Sequence, residues 1–166
     1  MSKLTLNIVE AEANGATSFL LTLASKKIIA SKGLTSNFIL GSLPGIPNDE
    51  SKIHQNFQEN KEFRITLISF INAELVHQNE FINQAKAQES GWIYLIDQRT
   101  STPKDDVPPE DIIGGFQIES GKIVKFIPNK KHLLISNSGV FSLGNSANKL
   151  FLKYMEDLTS NPNIES

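Results

Sequence analysis

The side chains best placed for chemistry are Asp97 and Arg99, which follow the apolar run Trp92–Ile96. Strand alternation sets positions 97 and 99 on the same side of the chain. An arginine beside a carboxylate can clamp a ligand: the guanidinium holds a phosphate or carboxylate, while the acid orients it or accepts from a hydroxyl. The commoner use of such a pair is an ion pair at a sheet edge. Here it would tie down the loop 100–111, which carries Pro103, Pro108 and Pro109. Residue types alone leave both uses open, because function has to be argued from a site.

Four more carboxylates, Asp105, Asp106, Glu110 and Asp111, crowd into the same loop. Paired carboxylates can exchange protons or bind a hard cation, but this spacing matches no EF-hand loop, and no metal is expected. The histidines His54, His77 and His132 lie too far apart for a zinc spacing. His132 follows Pro128-Asn129-Lys130-Lys131 at the mouth of the strand block, and forms a small basic patch with Lys122 and Lys125. The candidate site is therefore Asp97, Arg99, Glu110, Asp111, Asn129 and His132. No dinucleotide fingerprint, Walker loop or nucleophile elbow occurs. No cofactor is expected.

These residues need strands to hold them. Beyond Trp92–Ile96, the runs Ile112–Ile118 and Lys122–Ile127 read as a hairpin through Glu119-Ser120-Gly121, and Gly114-Gly115 inside the first run reads as a bulge or close backbone approach. Leu133–Ser136 and Val140–Ser142 read as short strands about Asn137-Ser138-Gly139. Upstream, Leu4, Leu6 and Ile8 alternate with polar residues, and Asn14-Gly15 marks a type I′ hairpin turn returning through Thr17–Ala24. Ile28–Ala30 reads as a short third run closed by Gly33, and 41–51 as a loop. Asn48, Asp49 or Ser51 can cap a short helix through Phe57. Residues 61–88 read as helical, with a break near Val76–Asn79. Ala147, Leu150, Phe151, Tyr154, Met155 and Leu158 make the apolar stripe of a C-terminal helix that packs on the sheet. The expected fold is α+β with a mainly antiparallel sheet, a long central helical segment and a C-terminal helix.

The chain of 166 residues is the length of one domain, with residues 1–40 readable as an N-terminal hairpin subdomain, 41–51 as a loop and 52–160 as an α+β core. A hydrophobic fraction of 39% is ordinary for a soluble fold. Sixteen basic against eighteen acidic residues give a net charge of −2, which argues against a nucleic-acid partner. Cysteine is absent, so there is no disulfide framework or thiolate chemistry. No apolar run reaches the length of a spanning helix or a signal peptide, so no membrane partner and a cytoplasmic setting are expected.

The stretch GWIYLIDQRT, then VPPEDIIGGFQIESGKI and FIPNKKHL, across residues 91–135, resembles the C-terminal strands of enterotoxin-type ADP-ribosyltransferases. In that family an apolar strand is followed by a proline-led strand, a hairpin and an Asn-bearing return. The catalytic Glu-x-Glu of the family has no counterpart in Thr100–Val107, and no Ser-Thr-Ser strand precedes Trp92. The resemblance thus implies a shared sheet and a degenerate pocket rather than transferase activity. The segment also resembles small bacterial proteins of unknown function. The expected function is binding, of a protein partner or a small ligand, at the strand ends around Asp97 and Arg99. On that reading alanine at either position abolishes capture and spares the fold. The alternative is an enzyme acting on a nucleotide-like substrate, with Arg99 on phosphate and Asp97, Glu110 or Asp111 as the acid/base group.

Overall fold

A computed structural model describes residues 4–99 and 106–160. The chain is α+β, with three antiparallel sheets and the helices between and beside them.

The first sheet has the order β1-β2-β3-β4, formed by Asn7–Ala13, Ala16–Thr22, Ile39–Leu43 and Gln58–Glu59. Asn14 (φ 54°) and Gly15 (φ 78°) make the expected tight turn between β1 and β2. Two expectations change here. Lys26–Lys32 is a helix, α1, where a strand was expected through Ile28–Ala30; Ser25 accepts from the Ile28 N–H at its start, and Gly33 ends it. The expected loop at 41–51 begins later, because β3 continues through Gly41 and Ser42 to Leu43, and Gly41 and Ser42 pair with β4. Asp49 then caps a 3-10 turn at Glu50–Gln55, accepting from the Ser51 N–H.

The central helical segment is broken as expected. Lys61–Ala73 (α2) and Asn79–Gln88 (α3) flank a 3-10 turn at Leu75–His77. Asn60 caps α2 by accepting from the Glu62 N–H, and also donates to the Ser36 and Ile39 carbonyls. The start of the helix is thereby fastened to the first sheet. Phe63, Leu67, Phe70 and Ile71 bury the other face of α2 against β3, the second sheet and the last helix, Asn145–Ser160 (α4). Phe63, Phe141 and Phe151 meet edge to face at 5.8–6.2 Å between ring centres, the geometry favoured by aromatic quadrupoles.

The second sheet carries the candidate residues. Its order is β5-β6-β7, from Gly91–Ile96, Ile112–Glu119 and Lys122–Pro128. Ile93, Leu95, Phe116, Ile118 and Phe126 point inward, and Phe81 of α3 stacks on Phe116 at 5.1 Å. Trp92, Tyr94 and Ile127 alternate outward and stay exposed. Two-residue strands at Ile135–Ser136 (β8) and Gly139–Val140 (β9) close the block.

Candidate functional site

Asp97 leaves β5 on a backbone bond, its N–H donating to the Asp111 carbonyl at 2.7 Å. Its side chain is sealed from solvent. Oδ1 accepts from the backbone N–H groups of Arg99 and Ser142, and Oδ2 accepts from His132 Nε2 at 2.9 Å. One carboxylate therefore joins the end of β5 to the segment after β7 and to the entrance of α4.

Arg99 is as fully committed, with 2% of its side chain exposed. Nε donates to Asp111 Oδ1 at 2.8 Å and lies 3.6 Å from Asp97 Oδ2. The two terminal nitrogens donate to the carbonyls of Glu110, Gly139 and Leu134. A rigid guanidinium fork satisfied on both sides holds three loops in register. The pair fastens the loop at its Glu110–Asp111 end; Pro103 and Asp105 lie outside the described residues.

His132 is buried between two ionised groups. Arg64 Nη1 contacts its Nδ1 at 2.7 Å, and Arg64 Nη2 donates to its carbonyl. A guanidinium only donates, so Nδ1 must be the accepting nitrogen and Nε2 must carry the proton given to Asp97. Burial, the largest influence, holds the His132 pKa below the usual histidine value; the bond to Asp97 opposes this, and Arg64 adds to it. Arg64 is itself held by Glu59 through two contacts of 2.7 and 2.8 Å.

The structure thus brings together Asp97, Arg99, Asp111 and His132. Glu110 contributes its backbone carbonyl, which accepts from Arg99. Asn129 sits at the neighbouring corner, donating to the Pro109 and Ile112 carbonyls and accepting from the Lys131 N–H. Arg64 and Glu59 complete the network without being expected; 68 residues separate Arg64 from its histidine, and no local pattern signals such a contact.

Chemically this is a closed frame. The Asp97–His132 dyad has the form of a general base, but Arg64 occupies the nitrogen that would take a proton from a substrate. Among the described residues no group of three His, Asp or Glu side chains is placed to hold a metal ion. No helix among them is long and apolar enough to cross a membrane.

Open space lies instead on β5. A shallow depression of about 410 Å³ covers the outer face of the sheet, lined by Trp92, Tyr94, Pro109, Ile112, Gly115 and Ile127 among others. A side chain at Gly115 would come within 3.1 Å of the Trp92 ring, so the glycine is what lets the indole approach the sheet. A second cleft of about 610 Å³ runs along the free edge of β5 toward the first turns of α3 and α4. Comparison with protein-family models, curated proteins and solved structures finds no match to this chain.

Proposed function

We propose that this chain is a binding protein that engages another polypeptide through β5 and the outer face of its sheet. The observation that carries this reading is the pairing of an exposed aromatic face, Trp92 and Tyr94 over Gly115, with a buried cluster of Asp97, Arg99, Asp111 and His132 just beyond it. Aromatic side chains left exposed together on a rigid sheet are typical anchors of interfaces, supplying large area with few rotatable bonds. Asp97, Arg99 and His132 serve that face by fixing the strand ends. Direct capture of a phosphate by Arg99 would first require it to release Asp111 and three carbonyls.

The test is selection of a displayed dodecapeptide library on the immobilised protein, followed by affinity measurement on Trp92→Ala. Truncation of a tryptophan anchor costs ~2 kcal/mol or more, about thirtyfold in Kd. Selected peptides that bind Trp92→Ala unchanged would overturn the assignment of the face.

A further inference from the structure

We infer that the free edge of β5 accepts an extended peptide segment by strand addition, with one apolar side chain of that segment entering the cleft beside it. The inference rests on the binding role just proposed and names the form of its partner.

The edge is partly closed already. The Trp92 carbonyl accepts from Gln88 Nε2 at 2.9 Å, and the Ile96 carbonyl accepts from Gln98 Nε2 at 3.1 Å. Both carbonyls point away from β6, so Tyr94, two residues from each, points its N–H and C=O the same way. Two glutamine carboxamides therefore stand where the N–H groups of a neighbouring strand would stand, and between them the Tyr94 donor and acceptor are open among the described residues. Guarded ends blunt an edge against indiscriminate pairing. The open centre remains usable by a segment that brings further contacts.

The cleft supplies those contacts. Leu75, Phe81, Leu143 and Leu150 give it an apolar wall beside the strand, and Gln84 and Asn145 a polar one. Among the described residues, Glu80 is the only charged side chain lining it. A strand laid along Tyr94 would alternate its side chains between the outer face and this cleft. The matching segment is extended, carries a large apolar residue opposite Ile93 or Leu95, whose side of the sheet is the side of the cleft, and is neutral or basic where Glu80 faces it. A second copy of this chain fits less well: its inward residues Ile93 and Leu95 are buried in its own core and would leave the cleft empty.

The test uses peptides selected on the intact protein and compares Tyr94→Ala with Tyr94→Pro. Proline removes only an outward N–H, a substitution that edge strands tolerate, and circular dichroism of the variant checks the fold. Strand addition predicts that Tyr94→Pro weakens binding about tenfold beyond Tyr94→Ala, and that peptide slows hydrogen exchange of the Tyr94 amide in the unaltered protein by a similar factor. Equal affinities for the two variants, with unprotected Tyr94 exchange, would overturn the inference. If binding in that case still depends on Trp92, the outer face stands and only the edge fails. If it depends on neither residue, both readings fail. Concentration-dependent dimerisation abolished by Tyr94→Pro, without peptide binding, would assign the edge to a second copy and overturn the inference as stated.

Discussion

His132 and Asp97, 35 residues apart in sequence, share a buried 2.9 Å hydrogen bond whose direction is fixed from the far side of the ring. Arg64 can only donate to Nδ1, so Nε2 carries the proton. Nitrogen-detected NMR should show one neutral tautomer with Nδ1 unprotonated. A protonated Nδ1 would contradict the network.

The same geometry sets a pH dependence. The folded pKa of His132 lies below its unfolded value, so the unfolded chain binds the proton more readily. Stability contributed by the neutral ring is complete above about pH 6.5 and falls as pH drops below that value. Denaturant midpoints of the unaltered protein should therefore fall more steeply between pH 7 and pH 5 than those of His132→Asn. Parallel curves would show that His132 titrates alike in both states.

Removing Asp97 should damage the fold. Asp97→Ala leaves the His132 Nε2–H and the backbone N–H groups of Arg99 and Ser142 without their acceptor, and breaking one member of a buried network costs about 3–5 kcal/mol. Glu59→Ala breaks a half-exposed pair with Arg64, worth at most about 1 kcal/mol. Urea unfolding should separate the two clearly. The early expectation that alanine at Asp97 or Arg99 would spare the fold does not follow from side chains so completely enclosed.

Gly114 and Gly115 should respond oppositely to alanine. A Cβ on Gly114 would collide with the Phe126 ring and the Ile127 carbonyl, so Gly114→Ala should cost several kcal/mol or prevent folding. A Cβ on Gly115 meets the Trp92 ring at 3.1 Å, which can lift outward, and the Tyr94 ring at an ordinary contact distance of 3.7 Å. Gly115→Ala should melt within a few degrees of the unaltered protein while its tryptophan emission shifts. Equal destabilisation would show that Trp92 is fixed in place.

Much of the fold is legible in the sequence because its signals are local. Asn14-Gly15 dictates a hairpin, and the stripe from Ala147 to Met155 dictates a helix buried on one side. Lys26–Lys32 was misleading because Ile28-Ile29-Ala30 is too short for its periodicity to decide; the flanking Ser25 and Gly33 carry the helix signal instead. The association of Asp97 with Arg99 is readable as opposite charges two residues apart, although the chain turns at Gln98 and Arg99 rather than continuing the alternation of β5. That Arg64 and Glu59 close the network is not, since that depends on how α2 lies against the second sheet. Nor does composition reveal burial: Arg99 looks available in sequence and is enclosed in the fold.

A nucleotide ligand makes a separate prediction. The reading argued here expects NAD, ADP-ribose and simple nucleotides to leave the melting midpoint unchanged. A ligand at 100 times its Kd adds ~2.7 kcal/mol, which would raise the midpoint of a domain this size by roughly 5–10 °C. Such a shift, lost in Arg99→Lys, would favour the nucleotide-acting alternative.

Trp92 is the only tryptophan in the chain, and it stands on the proposed contact face with 41% of its surface exposed. Its emission therefore reports directly whether a bound polypeptide covers that face. Titration with the tightest selected peptide should move the emission to shorter wavelength along the binding curve. Saturable binding that leaves the emission of Trp92 unmoved would place the partner elsewhere and contradict the account.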